Sequence, residues 1–579
     1  MINGVHLFLP ATKEEMNKLG WKTCDVILIS GDSYIDSPYI GVAVIGRILT
    51  DAGYKVGIIA QPDIESDADI SRLGEPRLFW GVTGGSVDSM VANYTALKKK
   101  RKSDDYTPGG DNTKRPDRAV IVYSNLIRRY FKETVPIVLG GIEASLRRIA
   151  HYDYWSNKVR GSILFDAKAD YLLYGMAEHS IIELANNLNE KKPVELIRGL
   201  CYKSTEYPQG YLRLPDLAQV KKDKHKFWEM FETFYHQNDP ITARGLAQLH
   251  DTRYLVQNPP QYHLSQEELD HVSTLPYEYA VHPNDAKNGF VRALDTIRFS
   301  IKSHQGCYGE CNFCAIAVHE GRTVRWRSED SIVEEAKKII SLPGFKGYLL
   351  DVGGPTANMY GFECKKKLEH GACQEQSCMY PHVCKALKPT HEPYRKLLMR
   401  LSSLSGIKKV FVSSGIRYDL LFEDRSNGEN FMQQLVENHV SGQLKIAPEH
   451  SEDRVLKLMR KPSFLQTIRF KAWFDRLSKR FGKKQFLTYY FIAGYPGCSE
   501  SQMKAMKNTV SKELKLVPEQ VQLFTPTPST WATAMYFTEM DGPNGHSIFV
   551  EKDTNKKKDQ LDIMFEREPK RNSDKRQRR

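Results

Sequence analysis

No apolar run in these 579 residues approaches the ~18 needed to cross a bilayer, so a membrane-spanning role is excluded and a soluble protein is expected. The opening stretch MINGVHLFLPATKEEMNKLG has one short apolar run followed by acids and lacks the organisation of a secretory signal; a cytoplasmic location is expected. No internal repeat recurs, which sets aside a repeat architecture. Charge of one sign is not dominant either: 83 Lys+Arg against 70 Asp+Glu leave +13, a modest excess at this length. Part of it lies in KKKRK (98–102) and in PKRNSDKRQRR (569–579). Such runs attract without specificity, so nucleic acid is a weakly supported partner. Cysteine is scarce, ten in all, yet seven fall between Cys307 and Cys384. In a reducing compartment that concentration favours metal over disulfides.

The tightest group is GCYGECNFCAI (306–316), which spaces Cys307, Cys311 and Cys314 as C-x3-C-x2-C with an aromatic at Phe313. Three thiolates can hold three irons of a [4Fe-4S] cube and leave the fourth iron open. A cluster used only for electron storage takes four thiolates, so three imply a site that binds something at the open iron. A zinc site with His304 or His319 as fourth ligand is the alternative. The loop glycines Gly306 and Gly309 favour the bulkier cube, since they let the backbone curl and reach positive φ.

The remaining chain reads as an α/β protein. Residues 1–200 alternate buried-strand runs with helix-length segments: CDVILISGD (24–32), KVGIIAQ (55–61), LFWGVTGG (78–85), VPIVLGG (135–141) and ADYLLYG (169–175). This pattern predicts a parallel, doubly wound sheet whose ligands sit at the carboxyl ends of the strands. Residues 201–295 read as a helical and proline-rich connection, with Phe227, Trp228, Phe231, Phe234 and Tyr235 as a helical packing stripe. From 296 to 540 six strand candidates recur, IRFSIKS (297–303), GYLLDV (347–352), KKVFVSS (408–414), QLKIAP (443–448), QFLTYYFIA (485–493) and QVQLFT (520–525). A cysteine-rich insertion, 355–390, interrupts them. Its Cys364, Cys373, Cys378 and Cys384 read as a second metal site, zinc or iron–sulfur, with His370 and His382 as substitute ligands. Cys24, Cys201 and Cys498 are isolated and read as core or loop thiols. A charged, disordered tail is expected over 541–579.

The three-cysteine loop resembles the signature of the radical S-adenosylmethionine (SAM) superfamily. That resemblance implies an N-terminal Rossmann-like, cobalamin-binding-type domain followed by a partial (β/α)6 TIM-like barrel. It also implies a [4Fe-4S] cluster held by Cys307, Cys311 and Cys314, SAM chelated at the open iron, and reductive cleavage of SAM to a 5′-deoxyadenosyl radical. SAM-contacting residues are then expected at the carboxyl ends of the barrel strands. They are Gly353 and Gly354, followed here by Pro355 where the superfamily often has Glu, together with Ser414, Arg417, Glu449 and Gly494. An electron donor such as flavodoxin or ferredoxin is implied as a partner. The stretches GGIEAS (140–145) and ADYLLYGMAE (169–178) resemble cobalamin-binding-type domains, but D-x-H-x-x-G is absent, and cobalamin is not expected. Further segments, among them GDSYIDSP (31–38), YTPGG (106–110), GGPTANMYG (353–361), SSGIRYDL (413–420), IAPEH (446–450) and FTPTPSTWATAMY (524–536), resemble the YgiQ-type radical SAM family across nearly the whole chain. The family brings catalytic activity and no substrate. Two rival readings stand beside it: a non-catalytic metal-stabilised scaffold associated with RNA, and cobalamin-dependent methyl transfer.

Overall fold

The computed structural model describes residues 8–543 and 545–565. Its first half is built on a nine-stranded sheet. Five strands, Val56–Ala60, Val26–Ser30, Phe79–Thr83, Ile137–Gly140 and Tyr171–Leu173, run parallel in that spatial order. Val26–Ser30 is buried at all five positions, as expected where both faces of a parallel sheet are covered. The helices Gly41–Asp51 and Glu178–Asn189 pack on each other, and Ala119–Tyr130 packs on Phe79–Thr83.

The wholly parallel, doubly wound sheet expected from the sequence is corrected to a mixed one. Leu200–Ser204 pairs antiparallel with Tyr171–Leu173, Arg253–Gln257 and Leu246–His250 follow antiparallel, and Leu212–Arg213 closes the edge. These strands lie in the stretch read as helical and proline-rich. The expected aromatic stripe is there, on the helix Lys224–His236, with all five rings buried.

The second half carries the six expected strands. Ser300–Lys302 pairs parallel with Asp351–Gly353, and Tyr348–Leu349 pairs parallel with Lys409–Val410. The second strand is thus split at Leu350, whose N–H donates to the Phe299 carbonyl at 2.8 Å. Gln443–Glu449, Phe486–Ala493 and Gln520–Leu523 form a parallel trio. A register shift between Ile446 and Glu449 is the local irregularity that re-aims a side chain, and Glu449 has φ +69°.

A disordered tail from 541 does not describe the residues seen. The helix Thr554–Ile563 is capped by Asp553 and buries Lys557, Gln560 and Ile563 against the helix Glu500–Thr509. Composition hid it, because Lys557 is charged yet buried, donating to the Tyr536 hydroxyl at 2.8 Å. The basic run 569–579 lies outside the described residues. No helix among the described residues is long and apolar enough to cross a membrane.

The two halves share one hydrophobic core. Its junction is aromatic: Trp531 packs on Trp228, Phe231 and Tyr235 with centroids 5.7, 5.0 and 5.1 Å away, and Phe537 packs on Phe227 at 4.8 Å. Replacing Trp228, 1% exposed, with Ala removes one wall of this junction, and by the usual cost of a large core deletion should destabilise the protein by about 3–5 kcal/mol. Urea unfolding of both proteins measures it; an unchanged midpoint would remove the junction from the core.

Candidate iron–sulfur and SAM site

The cysteine loop hangs from a short antiparallel neck, His304–Gln305 against Arg325–Trp326. Gly306 sits in the neck at φ +81°, and a Cβ there would lie 2.2 Å from the Thr323 carbonyl oxygen, so glycine is required on both counts. The Gly306 N–H donates to Glu320 Oε2 at 3.0 Å and the Cys307 N–H to the Gly321 carbonyl at 3.2 Å. Further along, Glu310 pairs with Arg322 at 3.1 Å, both buried. Asn312 ties the loop to the next elements through its N–H to Met459 O and its Nδ2 to Leu458 O, while its own carbonyl accepts from Ala532 N–H.

Gly309 serves space rather than positive φ; the left-handed residue is its neighbour Glu310, at φ +45°. A Cβ on Gly309 would stand 3.2 Å from Cys307 Sγ, 3.9 Å from Cys311 Sγ and 3.0 Å from Arg417 Nη1. Burial pushes the Cys307 thiol up to about 11 and raises Cys314 further. Such thiols become thiolates only when a cation compensates them. Arg417 Nη1 lies 3.6 Å from Cys311 Sγ, and the Gly309 N–H points at Cys307 Sγ at 3.4 Å. The donor set therefore fits an iron–sulfur cluster. Of the two candidate zinc ligands, His304 has both ring nitrogens engaged, Nδ1 facing Ser303 Oγ at 2.9 Å and Nε2 the Thr356 carbonyl at 3.0 Å, whereas His319 Nδ1 is without a partner among the described residues.

Beside the loop, a cavity of about 460 Å³ opens between the two halves. One wall is the carboxyl edge of the N-terminal sheet, with Ser30, Thr83, Gly140 and Gly175; the other brings Lys302, Gly353, Gly354 and Ser414. Ile316, His319 and Glu320, on the turn of helix after Cys314, form part of the lining. The double glycine is sterically imposed, since a Cβ would lie 2.9 Å from Ser414 Oγ at Gly353 and 2.6 Å from His304 Nε2 at Gly354. Asp351 joins the second and third strand ends, accepting from the N–H groups of Ser413 and Ser414 at 2.8 and 3.2 Å and from the Ser414 hydroxyl.

The other expected contacts are placed elsewhere. Arg417 forms an ion pair with Asp419 and meets the cysteine loop. Glu449 is buried 3.7 Å from Lys461 Nζ; burial raises its carboxyl pKa and Lys461 opposes the rise. Gly494, at φ +68°, is next to Leu523, Lys557 and Gln560.

A small polar chamber of about 40 Å³ adjoins the cavity and shares Glu178, His319 and Glu320 with it. Glu178 Oε2, Asn238 Nδ2, His263 Nε2, Gln305 Oε1 and His319 Nδ1 border it, all buried and without a hydrogen-bond partner among the described residues. Burial raises the Glu178 carboxyl pKa, with Lys302 opposing. Clustered unsatisfied groups call for water or a ligand's polar part. The signal for this chamber is spatial, since its residues come from five separate segments of the sequence.

The Radical SAM N-terminal family matches residues 8–300 and the Radical SAM superfamily residues 301–510. The UPF0313 protein of Fusobacterium nucleatum subsp. nucleatum is 55% identical over 561 residues, covering 97% of this chain and 99% of that protein. That of Thermotoga maritima is 49% identical over 549 residues, covering 94% and 96%. The chain belongs to the UPF0313, YgiQ-type, radical SAM family. Cys307, Cys311 and Cys314 fit the CxxxCxxC motif of the superfamily, and membership implies a [4Fe-4S] cluster and SAM. Among solved structures, the radical S-adenosylmethionine methyltransferase TsrM from Kitasatospora setae with cobalamin and [4Fe-4S] cluster bound aligns with 89% of this chain and 77% of that one, at 14% identity and a TM-score of 0.49. A likeness of that size carries no argument.

In this UPF0313 member the second cysteine group lies against the first. Cys364, Cys378 and Cys384 pack with Cys307 around a small apolar cluster of Tyr308, Phe362, Met379 and Leu387; Cys373 is exposed. All ten cysteines are free thiols.

Two outcomes follow from the site. Gly309→Ala should fold normally but take up less iron on anaerobic reconstitution, because its methyl stands between two thiols and Arg417; iron and acid-labile sulfide equal to wild type would refute this. The second concerns pH. Burial lowers His263, His304 and His319 to about 4 and His450 to about 3. Below about 6.5 the unfolded chain takes up protons that the folded chain refuses, so stability present at pH 7 is lost as pH falls towards 4, by up to about 1.4 kcal/mol per pH unit for each histidine. Urea midpoints at pH 7, 6 and 5 should fall in that order; a flat profile would mean that these rings are protonated in the fold.

Proposed function

We propose that this protein is a radical SAM enzyme that holds a [4Fe-4S] cluster on Cys307, Cys311 and Cys314 and acts on a substrate in the cavity between its two halves. The observation that carries this reading is the position of the loop: the turn of helix leaving Cys314 forms part of the wall of a cavity lined by strand ends from both halves. When bound, the cluster supplies the electron that breaks the SAM sulfonium and releases a 5′-deoxyadenosyl radical. The finer architecture, a Rossmann-like cobalamin-binding-type domain joined to a partial (β/α)6 barrel, belongs to the same reading. It is supported by the five parallel strands of the first half and the six strands of the second.

The chain's own residues have separable tasks. Gly353 and Gly354 present backbone to SAM where no side chain fits, and Asp351 fixes Ser414 beside them. Arg417 places positive charge against Cys311 and offsets a thiolate. Glu449, paired with Lys461, and Gly494, packed beside Lys557 and Gln560, stand outside the cavity lining and support the strand ends from behind. The apolar strand ends of the N-terminal sheet, Ile29, Val82 and Leu139 among them, exclude water from the region where a radical would react. Glu178 Oε2, unpartnered and raised by burial, is placed to take or give a proton at the chamber edge.

The test is reductive SAM cleavage. Reconstituted protein given dithionite and SAM without oxygen should slowly release 5′-deoxyadenosine and methionine even without substrate. The rate should be low, because productive closure awaits substrate. Replacing any one of Cys307, Cys311 or Cys314 with Ala should abolish the product. Wild-type rates in two of the three variants would sink the assignment, and a corrinoid retained by the purified protein would redirect it to cobalamin-dependent methyl transfer.

A further inference from the structure

We infer that the insertion carries a second iron–sulfur cluster, ligated by Cys364, Cys373, Cys378 and Cys384, immediately beside the catalytic one. The insertion is poor in its own structure: between 361 and 390 the one regular element among the described residues is the helix Lys365–His370. Its buried apolar residues are few, Phe362, Ala372, Met379 and Leu387. A stretch so long and irregular inside a compact domain needs an internal tie. Disulfides do not supply one, since all four cysteines are free thiols.

The thiols are already assembled in part. Cys364, Cys378 and Cys384 border one apolar cluster, and the Cys384 N–H donates to the Cys378 carbonyl at 2.9 Å. A cation waits beside them: Lys367 Nζ is 3.7 Å from Cys378 Sγ, the same relation that Arg417 has to Cys311. Lys367 is 3% exposed and anchored by the Glu363 carboxylate at 2.8 Å.

A further observation points to an acceptor missing from this place. The Tyr308 ring packs into the same cluster, 5.7 Å from Phe362, and its hydroxyl is fully buried with no hydrogen-bond partner among the described residues. Cluster sulfides and thiolates accept hydrogen bonds from such groups. Tyr308 is also the residue that follows Cys307 in the catalytic loop, so the two thiol groups flank one side chain.

The arrangement suits a cluster rather than a single ion. Tetrahedral zinc draws its sulfurs to about 2.3 Å from one point, whereas a cube spreads four thiolates over four irons. Cys373 is exposed whereas Cys364, Cys378 and Cys384 border the apolar cluster, a spread that a cube spans more readily than one ion.

The experiment separates the two sites. The triple variant Cys307→Ala, Cys311→Ala, Cys314→Ala, reconstituted anaerobically with iron and sulfide, should retain about half of the wild-type iron and sulfide and a reduced-state EPR signal. Adding Cys364→Ala and Cys378→Ala should remove both. In the otherwise wild-type protein the pair Cys364→Ala, Cys378→Ala should lower iron from about eight to about four atoms per chain. This second measurement decides the matter if the triple variant fails to fold. The reduced wild-type spectrum should be broadened by coupling between neighbouring clusters, and each single-site protein should lose that broadening. Unchanged iron in the Cys364/Cys378 variant, zinc alone in the triple variant, or an uncoupled wild-type spectrum with both clusters present would overturn the inference. Iron in the insertion with none on Cys307, Cys311 and Cys314 would uphold it while ending the proposal of catalysis.

Discussion

Thiols hold iron as thiolates, and burial opposes the loss of their protons. At Cys307 and Cys314 that opposition is strong, so the chain must supply position before any metal can supply charge. Position comes from elements far apart in sequence. The neck at Gly306 and Thr323 sets the loop's entry, the Glu310–Arg322 pair braces its middle, and Asn312 locks it to residues 458–459 and 532. Arg417 arrives from the third strand end to offset the charge that binding creates. The double glycine at 353–354 and the Asp351–Ser414 contact follow from the same demand, since both shape the floor beside the loop.

The cavity expresses a second constraint. Parallel strands end where backbone groups and helix starts can meet a ligand, and here two sets of strand ends face each other. Neither half alone would enclose the space. Its apolar lining comes mainly from the N-terminal sheet, which also brings Ser30, Asp32 and Thr83, while Lys302, Asp351 and Ser414 come from the other side. The chamber around Glu178 and His319 lies at the seam between them.

Much of this was legible in the sequence, and the omissions have physical causes. Buried strands such as 26–30 and 137–140 announce themselves as apolar runs ending in glycine. The hairpin of Leu246–His250 and Arg253–Gln257 turns through Asp251 and Thr252, with Asp251 at φ +54°, and lacks the Asn-Gly or Asp-Gly signal. The helix Thr554–Ile563 reads as tail because its buried lysine is satisfied by a tyrosine that sequence cannot bring near. The glycines at 353–354 and Ser414 could be named from strand ends, as could the cysteines from spacing. Gly309 was legible as a requirement but not in kind, for its reason is the volume of two sulfurs and a guanidinium. The chamber was invisible, because unsatisfied atoms exist only once distant segments meet.

Trp531 has a consequence for how such a protein can be divided. The indole sits in an aromatic socket formed by Trp228, Phe231 and Tyr235, and the next residue, Ala532, donates its N–H to Asn312 inside the cysteine loop. The Ser529 hydroxyl donates to the Leu146 carbonyl at 2.8 Å. The segment 529–532 thus grips both the N-terminal sheet domain and the cysteine loop. Separate genes for the two halves would each encode a product with an open aromatic wound. The contact from Ala532 to the cysteine loop therefore forms only after the last strand and the helix Trp531–Thr538 have been made, later than the loop's hold on residues 458–459.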